Sequence, residues 1–183
     1  MVVLGDSLVA GYGLGPGEAF PEQLQILTDK EGLGVVIENA GVSGDTSAGG
    51  LARLNWSISD NTNVVLVELG ANDALRGLSP EVTRKNLEAI IEQLKARNME
   101  VILAGMLAPP NMGEQYEAEF NAIYPDLAEK HSIPLYPFFL DGVAAEASLN
   151  QADGIHPTAE GVEIIAKRFL PFFKTSLAEI ALP

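Results

Sequence analysis

Val64-Val65-Leu66-Val67-Glu68-Leu69 runs straight into Gly70-Ala71-Asn72-Asp73. A short, mostly branched-aliphatic run stopped by glycine predicts a buried strand, because a helical face needs about ten residues or more to develop. A polar turn follows it at once. Working outward, the same pattern recurs on both sides. Val2-Val3-Leu4 predicts a first strand ending at Gly5, and residues 35–38 predict a second. Between and after them, residues 18–30 read as a helix with Phe20, Leu24 and Leu27 at helical spacing, and residues 48–59 as another. Downstream, residues 80–97 form an amphipathic helix. Ser79 is placed as its N-cap, Pro80 in its first turn, and Leu87, Ile90, Ile91 and Leu94 in one stripe. Residues 101–103 begin a fourth strand and 133–136 a fifth. The helix predicted over 114–131 should be kinked or divided by Pro125, and Pro171 should disturb the helix that begins at 158–169.

Strands alternating with helices of this length imply parallel βαβ units. The expected fold is α/β: a three-layer α/β/α sandwich with a central, mostly parallel sheet of about five strands, flavodoxin-like, in a single domain over residues 1–183. Ligands of such folds bind beyond the carboxyl ends of the strands. The polar, glycine-rich segments of this chain follow predicted strand ends.

Bulk composition removes several function classes. The formal charge of -14 argues against nucleic-acid partners, which need clustered Lys and Arg, and against anionic lipid surfaces. With no cysteine, disulfides, thiolate catalysis and Cys-based metal sites are excluded, and two isolated histidines make a poor zinc site. The glycine-rich stretch Gly11-Tyr12-Gly13-Leu14-Gly15-Pro16-Gly17 fits no dinucleotide-binding frame, and no phosphate-loop motif is present. No apolar run reaches the ~18 residues of a membrane span, and no leader opens the chain. The expectation is a soluble protein without a stable membrane anchor, cytoplasmic, or periplasmic or secreted after loss of a leader. Its oligomeric state is open.

The chemistry-bearing residues lie at those strand ends. Gly5-Asp6-Ser7-Leu8 follows the first strand, where Ser7 is either a helix N-cap or an exposed nucleophile with its own N–H aimed into the site. Far downstream, Asp153-Gly154-Ile155-His156-Pro157 offers a base. Histidine has the intrinsic pKa to take a serine proton, and a carboxylate three residues earlier in a tight loop can hold the imidazole in the right tautomer. A plain turn with a surface histidine is the bland alternative. Gly44, in Gly41-Val42-Ser43-Gly44-Asp45-Thr46, is either a flexible turn or a backbone donor; Asn72 is either a turn residue or an amide donor. Together the Ser7 N–H, the Gly44 N–H and the Asn72 amide would make an oxyanion hole.

The conjunction of Gly5-Asp6-Ser7-Leu8, Ser43-Gly44-Asp45-Thr46, Gly70-Ala71-Asn72-Asp73 and Asp153-Gly154-Ile155-His156-Pro157 closely resembles the four blocks of the SGNH (GDSL-like) hydrolases, in the same chain order. Gly50-Leu51-Ala52-Arg53-Leu54, Val67-Glu68-Leu69-Gly70 and Ala122-Ile123-Tyr124-Pro125 look like the bacterial multifunctional acyl-CoA thioesterase I/arylesterase subgroup. The resemblance implies a serine hydrolase needing no cofactor and no metal. It implies Ser7 as nucleophile, His156 as base, Asp153 as orienting acid, and Ser7, Gly44 and Asn72 as oxyanion donors. The substrate implied is a small-molecule ester or thioester, including aryl esters and lysophospholipids. Residues 107–116 match the subgroup only loosely, in a region where the resemblance implies a mobile loop beside the acyl group. A carbohydrate acetylesterase with the same site, and a non-catalytic binding domain on a flavodoxin-like fold, are the competing functions. Asp6 and Asp45 are expected to fix loop hydrogen bonds, and His131 and Arg76 to be structural or surface residues. Trp56, Tyr136, Phe138 and Phe139 are expected to pack in the core or on the sheet.

Overall fold

The computed structural model describes residues 1–180. In chain order the elements are β1 (Val2–Gly5), α1 (Ser7–Ala10), α2 (Phe20–Lys30), β2 (Glu38–Gly41), α3 (Ser47–Ser57), β3 (Val64–Glu68), α4 (Ala71–Leu75) and α5 (Pro80–Ala96). They continue with β4 (Glu100–Ala104), α6 (Glu114–Asn121), α7 (Ile123–His131), β5 (Leu135–Tyr136) and α8 (Ala159–Glu179). The five strands form one parallel sheet in the order β2-β1-β3-β4-β5. β1 and β3 are buried along their whole length, as strands covered on both faces must be.

The strand order decides where a ligand can sit. The chain leaves β1 in one direction to reach β2, then steps back past β1 to β3 and onward to β4 and β5. Right-handed crossovers therefore put α2 on one face and α3, α5 and α7 on the other. α8 joins α2, with Phe20 edge-on to Phe169 at 5.5 Å, while α3 packs on α5 and α5 on α7. The result is a three-layer α/β/α sandwich whose direction reverses between β1 and β3, and the crevice at that reversal lies beyond their carboxyl ends.

Several elements depart from expectation. The second strand begins at Glu38 and runs to Gly41, not over 35–38. The Val35 carbonyl accepts from the Gln25 side chain, the Ile37 N–H donates to that same side chain, and the Val36 carbonyl accepts from the Met1 ammonium, so their backbone groups are satisfied outside the ladder. The helical region 114–131 does divide, but at Ala122; Pro125 falls in the first turn of α7, where a missing N–H costs nothing. Pro171 does not interrupt α8, which continues to Glu179 because Phe169, Phe173 and Ser176 are all buried along it. Ser79 makes no side-chain cap bond to α5. Trp56 is 77% exposed on α3 and packs in no core. Among the described residues no helix is long and apolar enough to cross a membrane.

Candidate active site

At the reversal point, β1 ends in Gly5 and the chain turns sharply through Asp6 into the short helix α1, whose first residue is Ser7. Asp6 is fully buried. Its Oδ1 accepts the Leu8 N–H at 2.9 Å, which caps α1, and its Oδ2 accepts the Asn72 side-chain amide at 2.9 Å. Asn72 comes from α4, directly after β3. One aspartate thus ties the two strand ends together, and the second amide hydrogen of Asn72 is left for a ligand.

Ser7 is 9% exposed, and its hydroxyl lies 2.9 Å from Nε2 of His156. Nδ1 of the same ring lies 2.7 Å from Oδ2 of Asp153. Oδ1 of Asp153 accepts the backbone N–H groups of Ile155 and His156, both at 3.0 Å, so the loop is an Asx-type turn folded around the carboxylate. The bond from His156, followed by those two N–H groups, holds the Asp153 carboxyl down at about 2. An ionised carboxylate only accepts, so Nδ1 carries the imidazole proton and Nε2 presents its lone pair to the Ser7 hydroxyl. The turn expected from Asp153-Gly154-Ile155-His156 is present, and it holds the imidazole against a serine 149 residues away.

Gly44 is held differently. Its carbonyl accepts Arg76 at 2.7 Å, and its loop is braced by Asp45, which pairs with Arg53 at 2.6 Å. Arg53 is 5% exposed and also donates to the Gly5 carbonyl at 2.8 Å, joining the loop after β2 to the turn after β1. Among the described residues, neither the Ser7 N–H nor the Gly44 N–H has a hydrogen-bond acceptor.

Ser7, Asn72 and His156 line a cavity of about 470 Å³. Leu75, Leu107, Pro110, Phe138, Leu140 and Ile155 are part of its apolar wall. Gly44 is not part of the lining. Phe138, expected to pack in the core, instead faces this cavity. The Tyr12 ring leans on His156 with centroids 4.6 Å apart.

Beneath the turn is a group that the sequence did not assign. Glu68, the last residue of β3, is fully buried; its Oε2 accepts the Asp6 N–H at 3.4 Å and its Oε1 has no partner. A Cβ on Gly5 would come within 2.7 Å of that carboxylate, so glycine makes the space. Burial pushes the Glu68 carboxyl well up, and the neighbouring Asp6 charge adds to it. Burial also raises Asp6, to about 6, opposed by its bonds to Leu8 and Asn72 and by His156. The signal available in sequence was an acid inside an otherwise apolar strand. His131, as expected, is structural, with Nε2 3.2 Å from Glu88. Together with Glu92 these form the metal-type donor cluster of the described residues, but Lys130 already pairs with Glu88 and none of them lines the cavity.

A model of the GDSL-like lipase/acylhydrolase family matches residues 3–164, which is most of the chain and includes both ends of the Ser7–His156 contact. The chain belongs to this family. It is 42% identical over 167 residues to thioesterase 1/protease 1/lysophospholipase L1 of Escherichia coli K12, covering 91% of this chain and 79% of that one. It is 40% identical over 168 residues to the arylesterase of Vibrio mimicus, with coverage of 91% and 84%. Among solved structures, the psychrotrophic esterase EstA from Pseudoalteromonas, in a form inhibited by monoethylphosphonate, superposes with a TM-score of 0.91 at 34% identity, over 97% of each chain.

Proposed function

We propose that the protein is a serine esterase of this family, a single domain that hydrolyses carboxylic esters through an acyl-enzyme on Ser7. The observation that carries the reading is the unbroken line from Asp153 through His156 to Ser7, at 2.7 and 2.9 Å, opening onto an apolar cavity. In this reading Ser7 Oγ attacks the ester carbonyl carbon while His156 Nε2 takes the hydroxyl proton. Asp153 holds the imidazole in place and stabilises the imidazolium. The negative oxygen of the tetrahedral intermediate accepts from the Ser7 N–H, the Gly44 N–H and the Asn72 amide. His156 then protonates the leaving alcohol, and a water activated by the same imidazole releases the acid.

The apolar wall supports aryl and short-to-medium acyl groups, and it weighs against the sugar esters of a carbohydrate acetylesterase. Thioesters, including those of coenzyme A, and lysophospholipids use the same acyl chemistry and fall within the proposed range, and the Escherichia coli relative is named as a thioesterase and a lysophospholipase. No step calls for a cofactor. The test is turnover of p-nitrophenyl esters from acetyl to palmitoyl by the wild type and Ser7→Ala. A fall in kcat on the order of 10⁵–10⁶-fold is expected. Wild-type turnover by Ser7→Ala would remove the assignment.

A further inference from the structure

Ser7 and His156 must stay within hydrogen-bond reach, yet the segments that carry them lie at opposite ends of the chain, and the base loop is exposed at Asp153, Gly154 and Ile155. Among the described residues, only one hydrogen bond other than the Ser7–His156 contact joins residues 5–19 to residues 149–158: Nε2 of Gln151 donates to the Tyr12 carbonyl at 2.7 Å. The same nitrogen donates its second hydrogen to the Pro157 carbonyl at 2.9 Å. The Gln151 backbone N–H bonds the His156 carbonyl at 2.7 Å, and its carbonyl accepts Gly154 N–H at 2.9 Å. On the other side, the Tyr12 N–H donates to the Ser7 carbonyl at 3.1 Å. Three hydrogen bonds in series therefore lead from the Ser7 backbone, through Tyr12 and Gln151, to the His156 backbone. Gly13 completes the fit: its φ is +75°, and a Cβ there would collide with Oε1 of Gln151.

We infer that Gln151 is a positioning residue for the hydrolytic reaction, its side-chain amide locking the base loop onto the nucleophile turn so that His156 Nε2 is held against the Ser7 hydroxyl. The inference rests on the reading of Ser7 as nucleophile and His156 as base. Gln151 touches no reacting atom; it acts through the register of the two loops. The Asx turn around Asp153 fixes the shape of the base loop, but nothing in that turn fixes its distance from Ser7. A shift of about 1 Å between reacting groups is enough to cost ~10²-fold in rate.

The test uses Gln151→Met, which keeps the length of the side chain and removes both donors. It should lower kcat on p-nitrophenyl butyrate about 10- to 100-fold, leave KM within about threefold, and slow labelling of Ser7 by a fluorophosphonate to the same degree. In a His156→Ala background the same substitution should cost nothing further, because the bond it protects is already gone. A role in general stability would slow both backgrounds alike. Gly13→Ala, which displaces the Gln151 amide from the opposite loop, should reproduce the loss and covers the case in which Gln151→Met does not fold. Wild-type kcat in either folded variant, or an equal further loss in the His156→Ala background, overturns the inference. Such a result alongside an inactive Ser7→Ala leaves the serine-esterase reading intact, whereas an active Ser7→Ala removes that reading itself.

Discussion

Asp6 and Asp153 stand on either side of the Ser7–His156 pair, one next to the serine in the chain and the other bonded to the imidazole, and their surroundings push them in opposite directions. Asp6 lies behind the serine with no solvent exposure, over the buried carboxyl of Glu68, and burial raises it to about 6. Asp153 stands at the surface, and its three hydrogen bonds lower it to about 2. The Ser7 turn is positioned by the sheet: its register follows from β1 and β3, and the carboxyl groups of Asp6 and Glu68 are kept out of water. The base loop is positioned by local turn chemistry and by Gln151. A fold-level device sets one half of the site and a loop-level device sets the other, so the two halves should fail in different ways.

The sharpest break is Asp153→Asn. The amide would present a donor to Nδ1 and favour the wrong imidazole tautomer, so kcat should fall on the order of 10⁴-fold while the melting temperature barely moves. A loss below tenfold, measured with p-nitrophenyl butyrate, would mean that Asp153 does not orient the base. Asn72→Ala removes one proposed oxyanion donor from the buried half and should lower kcat about 10²–10³-fold with little change in KM. A pure KM effect would place Asn72 in substrate binding instead.

Asp6→Asn tests the burial side of the comparison through stability. A carboxyl whose folded value is raised from 3.8 to about 6 contributes stability that is fully present below pH ~4 and is lost as pH rises through about 6. Removing it should flatten the stability of the variant relative to wild type between pH 4 and 8, by up to about 3 kcal/mol. Denaturant unfolding across that range checks this; parallel curves would show that Asp6 is not held out of water. Asp153 has the opposite sign: its contribution is present above pH ~4 and is lost as pH falls through about 2. The smallest effect belongs to Ile155, which is 46% exposed on the base loop and lines the cavity. Ile155→Ser should raise KM about three- to tenfold for butyryl and longer p-nitrophenyl esters, as expected for ~1 kcal/mol of apolar contact, and leave acetyl esters unchanged. An equal effect on acetyl esters would place the acyl chain elsewhere.

How much of this was legible in the sequence follows the same division. β1, β3 and β4 announced themselves because strands buried on both faces read as nearly continuous apolar runs, broken here only by Glu68 at the end of β3 and Glu100 at the start of β4. β2 did not, since Glu38-Asn39-Ala40-Gly41 is a polar edge paired on one side only, while the apolar residues before it are satisfied by side chains. The continuity of α8 past Pro171 depends on burial of Phe173 and Ser176, which no helix rule registers. Ser7, Asp153, His156 and Asn72, which the structure brings together, were readable as candidates because the proposed chemistry requires those side chains at strand ends and in a tight turn. Gly44 was readable as a loop glycine, but it lies outside the cavity lining; Arg76 holds its carbonyl, and Arg53 joins the neighbouring Asp45 to the Gly5 carbonyl. Gln151 and Arg53 were assigned no role, because what they do is bond to backbone carbonyls of distant segments, and local spacing carries no trace of that. Glu68 was hidden by the strength of the strand around it.

The most direct test of the account is covalent labelling. Wild-type protein treated with a fluorophosphonate and mapped by peptide mass spectrometry should carry one adduct, on Ser7, formed in step with the loss of esterase activity and absent from Ser7→Ala. An adduct on a different serine, or full loss of activity with Ser7 unmodified, would contradict the assignment of Ser7 as the nucleophile.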